Sequence, residues 1–394
     1  MPTTRVIYQS EALFNTADSV DITSSTAVMT NLTGIQQFSR VQSCNYSLDI
    51  SRKDVNQYGN LAAIDRVILE QPSISLDFGY LLSDFGNEKA LGFVAQQTQN
   101  TLTTVTSAAA TTSAMGNILT SGFVNTKNYF IRSVAQGNDA NSYTVDVVGN
   151  AIGSTIAIGN GFLTNYSVNA VVGDFPKASV TCEALNIVII NGNSGTNPAV
   201  NISGNSVGGT FWLPSGLTNP NVENPSGAVF PTISALRHGD ITFGLTQTAG
   251  TAYGGVAITS VASAAIQSFD IGVNLKRVNL QKLGTRYAYS KEIQFPVTLD
   301  LSIKALVLDL TTGNLIDVVN TDGTYDAVIK LAAPGTTGLE GVAYVLKRLQ
   351  LDNESFSSAI GSNKEVTLKF STQIGSSQQT DRGLFMFETL PVGI

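Results

Sequence analysis

Apolar and polar residues alternate with a period of two along much of the chain. The alternation is clearest in residues 45–51, 73–78, 166–170, 180–184, 297–303 and 366–370. Because successive side chains of a strand point to opposite faces of a sheet, this pattern predicts strands with one buried and one exposed face. We therefore expect a mainly β fold.

Signals for helices are few. Residues 87–94 predict a short helix with Asn87 as its N-cap, since Asn accepts hydrogen bonds from the first free N–H groups of a helix. The Thr- and Ala-rich stretch 101–119 fits a strand and a helix equally well. Residues 191–227 are dominated by Asn, Gly, Ser and Pro, which predicts a loop region at a domain boundary, with a short strand at 210–213. The alternative is a long surface excursion from a single large domain.

Two stretches of the chain, residues 41–52 and 266–277, resemble each other at a constant offset. Their alternating apolar residues match as Tyr46 with Ile271, Leu48 with Val273 and Ile50 with Leu275. In both copies a strand leads into a polar loop containing a Gly, and a second strand follows a proline. The match predicts an internal duplication. We expect two β domains, residues 1–215 and 216–394, with residues 93–161 as a possible insertion or decoration of the first.

Composition restricts the possible functions. Charged residues make up 13% of the 394 residues and hydrophobic residues 43%, so the chain is too apolar for a disordered protein. A weakly charged polar surface suits faces that neighbouring molecules cover, because burying charge is costly; a Thr- and Asn-rich extracellular β protein is the alternative. The net charge of −7 and the lack of a basic run argue against nucleic-acid binding. They permit a wall along which DNA slides without adhering.

Targeting and redox signals are weak. The two cysteines, Cys44 and Cys182, do not make a disulfide framework, and each lies in an alternating stretch where a small buried residue is expected. The first residues lack the apolar core of a signal peptide, and no apolar run reaches the length of a membrane span. We expect a protein made in the cytoplasm, without a membrane anchor.

Signatures of catalysis and cofactor binding are sparse. His238 is the single histidine and is expected in a loop, far from any zinc-site pattern. No phosphate-binding glycine motif occurs, and no Gly-x-Ser-x-Gly elbow in a strand-to-helix setting supports a Ser–His–Asp arrangement. Asp317, Asp322 and Asp326 resemble a calcium loop only loosely, since the terminal Glu is missing. We predict no enzymatic activity, no cofactor and no metal site.

Two segments carry a resemblance to a known family, residues 40–78 (two strands and the loop between them) and 162–176. In these segments the chain resembles bacteriophage major tail tube proteins. The resemblance implies a β-sandwich or barrel-like domain with at most a short flanking helix. It also implies a ring of six such domains around a pore, and stacked rings that conduct DNA into the host. Three chains supply six domains if the duplication is real, and six chains otherwise.

The resemblance further implies that the loop between the first two strands reaches a neighbouring subunit or ring. In this chain that loop is residues 54–64, and its second copy is residues 278–289. The predicted self-assembly residues are the apolar residues Val55, Tyr58, Leu61, Ile64, Leu280, Leu283 and Tyr287. They are expected to be buried against a partner; the alternative is that they pack on their own domain. The implied partners are further copies of the chain, other phage tail proteins and passing DNA, with no membrane; the implied location is the virion.

Three other functions stay open. A capsid or decoration protein would form or coat shells instead of tubes. A carbohydrate-binding adhesin or fibre would expose aromatic residues on a shallow face, for which Trp212 is the candidate. A hydrolase would need an acidic pair, such as Asp77 with Asp84 or Asp352 with Glu354.

Overall fold

The structure is a computed structural model. It describes residues 11–16, 34–96, 112–119, 126–134, 140, 153–214, 236–249, 265–306, 323–333, 340–357, 364–376 and 379–389. In these residues the fold is mainly β, which confirms the predicted class.

The strands before residue 214 include one that is eighteen residues long. They are β1 (Glu11–Thr16), β2 (Ile35–Gln37), β3 (Val41–Asp49), β4 (Lys53–Val55), β5 (Asp65–Val67), β6 (Ser73–Leu81), β7 (Ala95–Gln96), β8 (Lys127–Ser133), β9 (Ser154–Val171), β10 (Lys177–Ala184), β11 (Asn186–Asn191), β12 (Ser194–Thr196) and β13 (Thr210–Trp212). The helices are α1 (Gly86–Leu91) and α2 (Gly116–Leu119).

The strands after residue 240 include a second one of eighteen residues. They are β14 (Ile241–Ala249), β15 (Ala265–Asn274), β16 (Arg277–Leu280), β17 (Ser290–Ile293), β18 (Val297–Leu306), β19 (Thr324–Ala332), β20 (Glu340–Ser357), β21 (Glu365–Ile374) and β22 (Gly383–Thr389). A 3-10 turn, His238–Asp240, precedes β14.

Seven described strands of each half pair in the same order, whereas β2 pairs with β1 and β7 pairs with β22 without equivalents. In the first half the order β1-β8-β9-β11 continues through the long strand β9 into β9-β10-β6-β3. In the second half the order β14-β19-β20-β22 continues through the long strand β20 into β20-β21-β18-β15. We call the first set of strands unit 1 and the second set unit 2.

Irregularities in the ladders also recur at corresponding positions. The residues skipped by the pairings are Gln42 in β3 and Gln267 in β15, and Thr164 in β9 and Asp352 in β20. In the long strands, Asn160 and Arg348 have positive φ angles of 57° and 56°. Because a bulge fixes the register on both sides of it, each residue of β3 has a defined counterpart in β15. The same holds for β9 and β20.

Units 1 and 2 join through β15, which pairs antiparallel with β9. One hydrophobic cluster extends across the join and includes Leu76 and Tyr166 of unit 1 with Leu299 and Tyr344 of unit 2. The expected boundary at 215/216 borders a stretch outside the described residues. The division into two domains therefore stays a prediction, while the repeated pairing order is observed.

The alternating segments predicted as strands lie in strands, except that residues 50 and 51 follow the end of β3. The helix predicted at 87–94 is shorter, ends at Leu91 and has a different N-cap. Helix α1 begins at Gly86, and Phe85 holds the N-cap position. The prediction of Asn87 as N-cap is wrong, because its side chain is used elsewhere: it accepts from the Ser39 N–H and donates to the Ser39 carbonyl, each at 2.9 Å.

Residues 191–214 differ from the predicted loop region. The short strand expected at 210–213 is confirmed as β13 and pairs with β12. The intervening residues are packed, with Ala199 and Leu213 fully buried. The amide of Asn197 is buried too, and its oxygen accepts from the Asn128 side chain at 2.9 Å. Side-chain amides also satisfy the backbone of this segment, because the Asn197 oxygen accepts from the Ala199 N–H and the Asn160 oxygen accepts from the Val200 N–H.

Residues 93–161 were expected as a possible insertion or decoration of the first domain. Strand β8 lies in this stretch, is buried along its length and pairs with both β1 and β9. Phe93 is also buried, against the ring of Tyr166. These residues belong to the core of unit 1, whereas residues 97–111 and 141–152 lie outside the described part of the chain.

Candidate self-assembly surface

Strand β3 presents an uncovered apolar face. Its core-side residues lie opposite the buried residues of β6, with Tyr46 opposite Leu76 and Leu48 opposite Ile74. Nevertheless Tyr46 is 41% exposed and Leu48 is 47% exposed. Among the described strands β3 pairs only with β6, so its outer edge is open. Open edges with apolar side chains favour pairing with another strand.

The counterpart of β3 in unit 2 is covered. Ile271 and Val273 of β15 correspond to Tyr46 and Leu48, and both are fully buried. The difference arises because β15 pairs with β9 on its outer edge, where Ile271 lies opposite Val168. The alternation in β3 correctly predicted a strand with one apolar face, but nothing in the described chain covers that face.

A second open edge lies on the last part of β20. Residues 350–357 pair with β21 on one side, and no described strand pairs with the other side. The corresponding part of β9 is the part that pairs with β15. Phe356 on this segment is 50% exposed. Among the described strands, the open edges of β3 and of the last part of β20 therefore correspond to the two strands joined at the centre of the chain.

Two hairpin arms protrude between the paired strands. Arm 1 (residues 52–67) contains β4 and β5, and arm 2 (residues 277–293) contains β16 and β17. Each arm turns at a glycine in the left-handed region, Gly59 with φ of 91° and Gly284 with φ of 89°. Since this backbone conformation is strained for other residues, the matching glycines preserve the same turn in both arms.

The apolar residues predicted for self-assembly are mostly exposed on the arms. On arm 1, Tyr58 and Leu61 are fully exposed, and Val55 and Ile64 are exposed as well. On arm 2, Leu283 is fully exposed and Leu280 is at the edge of exposure with 36%. Their contact with a partner stays a prediction. Exposed clusters of this kind are unusual on a monomer.

Tyr287 is the predicted residue that packs on its own chain. It lies against the cluster formed by Phe162, Leu185, Ala199, Val200 and Val207. The neighbouring backbone is also held, because the Tyr287 N–H donates to the Ile202 carbonyl and the Ala288 N–H donates to the Gln71 side chain. Arm 2 is thus docked on unit 1, whereas arm 1 is not docked on any described residue at the corresponding positions.

Two cations at the base of arm 2 contact unit 1. The Arg277 guanidinium and the Lys291 ammonium both lie over the Phe162 ring, 5.3 and 5.0 Å from its centroid. Lys291 also forms an ion pair with Glu183. Burial lowers the pKa of Arg277 to about 10 and lowers the pKa of Lys291, which Glu183 partly offsets. Cations over an aromatic face add to the packing of the arm.

The base of arm 1 has the same cationic character but a different setting. Arg52 and Arg66 correspond to Arg277 and Lys291, and both are exposed. Arg66 forms its ion pair within the arm, with Asp54 at 2.7 Å. An exposed pair of this kind adds little to stability, so arm 1 is available for another contact.

Both units contribute to the run of strands β20-β21-β18-β15-β9-β10-β6-β3, which we call the central sheet. Its solvent face is polar and carries few cations at its centre. Around the join, β9 and β15 place small polar or acidic side chains on this face: Asn165, Ser167, Asn169, Asp270, Gly272 and Asn274. Strands β6, β10 and β18 continue it with Ser75, Asp77, Ser179, Thr181, Asp300 and Ser302. Of the basic side chains on this face, Lys177 and Lys304 lie near strand ends and pair with Asp174 and Glu365. Lys369 lies in the middle of β21, opposite Ser302 and away from the join.

A buried carboxyl group at the join was not found by sequence reasoning. Glu88 of α1 accepts hydrogen bonds from the hydroxyls of Tyr80 (2.7 Å) and Tyr166 (3.0 Å). The Tyr166 hydroxyl is also 3.1 Å from that of Tyr344 in unit 2. Burial raises the pKa of Glu88 from its ordinary 4.5 to about 7, although the tyrosine hydroxyls oppose the shift. The network connects α1 with both long strands.

The residues considered for other chemistry are dispersed. His238 lies exposed in its 3-10 turn, as expected of a loop residue. Cys44 and Cys182 are free thiols, and burial raises the pKa of each to about 12. Trp212 is 59% exposed on β13. Asp317 and Asp322 lie outside the described residues. In the part of the chain that the structure describes, no helix is both long and apolar enough to cross a bilayer.

No protein-family model matches the chain, and no curated protein matches it. Among solved structures, the chain is similar to one from the baseplate of the anti-feeding prophage, determined by cryo-electron microscopy with sixfold symmetrisation. The identity is 11% and the TM-score 0.24, over 42% of this chain and 100% of that chain. A TM-score this low does not establish a common fold.

Proposed function

We propose that this chain is a structural virion protein that assembles with its own copies into the tube of a phage tail, without enzymatic activity. The observation that carries the proposal is the uncovered apolar face of β3 beside its covered counterpart β15. A strand that is suited to burial but left open by the described part of the chain favours contact with a partner. Other copies of the same chain offer the matching edge, the last part of β20.

The exposed arm supports the same function. Tyr58 and Leu61 at the tip of arm 1 gain about 1.5–3 kcal/mol each when a partner buries them. Arm 2 gives the precedent within the chain, because its Tyr287 is packed on unit 1. In a tube, arm 1 contacts an adjacent subunit or an adjacent ring. Tail proteins that cap or terminate the tube are the second class of partner.

The polar sheet face supports the passage of DNA. Phosphates bind through Lys and Arg, and the centre of this face carries Ser, Thr, Asn and Asp instead. A lumen lined by such a face repels the DNA backbone or does not bind it, which allows the DNA to slide through the tube. We assign this face to the lumen in the proposed tube. The site of action is the virion, and the chain is made in the host cytoplasm.

Electron microscopy of the purified recombinant protein in negative stain tests the proposal. We expect hollow tubes or six-lobed rings with a central pore. Closed shells would contradict the tube and favour a capsid or decoration protein. Elongated fibres would favour an adhesin, for which the exposed Trp212 is the residue to mutate first.

A further inference from the structure

The strand pairing at the join between units 1 and 2 indicates how two chains can pair with each other. Strand β15 lies at one end of unit 2, and the last part of β9 lies at one end of unit 1; at the join they pair antiparallel. Their counterparts are β3 and the last part of β20. Both are open in the described chain, and they lie at opposite ends of the central sheet.

The repeated bulges define which residues correspond. β3 maps on β15 through the skipped residues Gln42 and Gln267, and β20 maps on β9 through Asp352 and Thr164. At the join, Ile271 lies opposite Val168, Gly272 opposite Ser167 and Asn274 opposite Asn165. Transferring each residue to its counterpart gives one register for a contact between β3 and β20, and a slip of one residue would turn every side chain to the wrong face.

Resting on the proposed self-assembly, we infer that β3 pairs antiparallel with β20 of a second copy in the register of the internal join. The opposed residues are Asn45 with Ser357, Tyr46 with Phe356, Ser47 with Ser355, Leu48 with Glu354 and Asp49 with Asn353. The contact is head-to-tail, so every copy uses both of its open edges. Such a contact closes into a ring when the rotation allows it, and each chain then contributes two equivalent units.

On the core side of the paired strands, this register brings two exposed aromatic residues together. Tyr46 and Phe356 are 41% and 50% exposed in the single chain and lie directly opposite each other in the pairing. An aromatic cross-strand pair stabilises a sheet more than small residues do. Glu354 is the diagonal neighbour of Tyr46 on the same face, and its Oε2 atom is buried without a hydrogen-bond partner among the described residues. In this register, Tyr46 brings a hydroxyl donor to the face of the sheet on which Glu354 of the second copy lies.

The polar side of the register has the same chemistry as the internal join. At the join, the Asn169 side-chain amide lies 3.5 Å from the Asp270 carboxylate. In the pairing between chains, Asp49 lies opposite Asn353, and Ser47 lies opposite Ser355. No like charges oppose each other on this side, so electrostatic repulsion does not disfavour the contact.

Disulfide cross-linking tests the register. In a Cys44→Ser background, the double variant Ser47→Cys with Ser355→Cys places two thiols on directly opposed residues. Such residues in an antiparallel pair have Cα atoms about 4.5–5.5 Å apart, which a disulfide spans. The matched control is Ser47→Cys with Phe356→Cys, in which the thiols point to opposite faces. Cys182 is buried and stays in place in both variants.

After mild oxidation, we expect the double variant to form covalent dimers and larger species on a non-reducing gel, in roughly tenfold excess over the control. Mixing the single variants Ser47→Cys and Ser355→Cys should give covalent dimers only, because each chain then has one introduced thiol and forms one bond. Electron microscopy of the same samples distinguishes the proposed self-assembly from the proposed register. Rings or tubes without the cross-link, or with equal cross-linking of the control, would overturn the register and leave self-assembly standing. Absence of any assembly would overturn both.

Discussion

Leu48 and Val273 occupy the same position in the two units, yet Leu48 is 47% exposed whereas Val273 is fully buried. Both side chains point to the core side of a strand, and the strand on the inner edge is equivalent in each case. The difference lies in the outer neighbour, since Val273 lies opposite Tyr166 of β9 and Leu48 has no described strand beside it.

Substitution of Leu48 should affect assembly, whereas substitution of Val273 should affect the stability of the single chain. Leu48→Ser should change the free energy of unfolding of the dissociated chain by no more than about 0.5 kcal/mol, because the side chain is exposed there. It should nevertheless lower the fraction of assembled protein in sedimentation. Val273→Ser should cost about 3 kcal/mol, because it removes buried methyl groups and buries a hydroxyl. Equal destabilisation of the dissociated chain by both would show that the chain itself covers Leu48.

Arm 1 should matter for assembly but not for folding. The double variant Tyr58→Ser with Leu61→Ser removes two fully exposed side chains from the arm tip, so the thermal unfolding of the dissociated chain should be unchanged. Tubes seen by electron microscopy should become short or disappear. Asn56→Ser is the control, since it changes an exposed polar residue of the same arm. Tubes of normal length in the double variant would show that the arm tip makes no contact.

The Glu88 network should make stability depend on pH. The folded-state pKa of Glu88 is raised from 4.5 to about 7, mainly by burial, so the folded chain binds a proton that the unfolded chain releases. This contribution is fully present below pH 4.5 and is lost as the pH rises through about 7. The free energy of unfolding should therefore fall by up to about 3 kcal/mol over that range.

Urea titrations at several pH values measure this effect, with Glu88→Gln as the control. The Gln variant should lose the slope that Glu88 contributes. Tyr80→Phe removes a hydroxyl that lowers the pKa of Glu88, so it should move the midpoint to higher pH. A slope that survives unchanged in Glu88→Gln would assign the pH dependence to other groups.

The ion pair at the base of arm 2 should respond differently to two substitutions. Glu183→Gln leaves the buried Lys291 ammonium without its carboxylate and should cost about 2 kcal/mol, less than a fully buried pair because Glu183 is partly exposed. Lys291→Met keeps the packing on Phe162 and removes the buried charge, so it should be nearly neutral. Chemical denaturation of both variants measures the difference, and a larger loss for Lys291→Met would contradict this interpretation of the contact.

The sequence predicted those parts of the fold in which one face of a strand is buried. Alternation located β3, β6, β10 and β18, because such strands leave a period of two in the sequence. It did not locate β8, where both faces are buried and the residues do not alternate. Nor did it show that each of the two long strands pairs with two different sets of strands, with Asn160 and Arg348 at positive φ angles within them.

The positions of the arms in the sequence were predictable, whereas the open strand edges were not. The apolar residues of arm 1 were named from the family resemblance, and their self-assembly role stays a prediction. The docking of Tyr287 depends on residues far away in the chain, such as Val200. Whether an alternating strand is covered is also decided by its neighbour in space. For that reason the same pattern gave a buried Ile271 and an exposed Tyr46.

Mass photometry of the purified protein, combined with the symmetry of its rings in electron microscopy, tests self-assembly through two units per chain most directly. We expect closed rings of three chains of 41.5 kDa, with six lobes from the repeated units. Rings of six chains, or a chain that stays monomeric at every concentration and never forms rings or tubes, would contradict it.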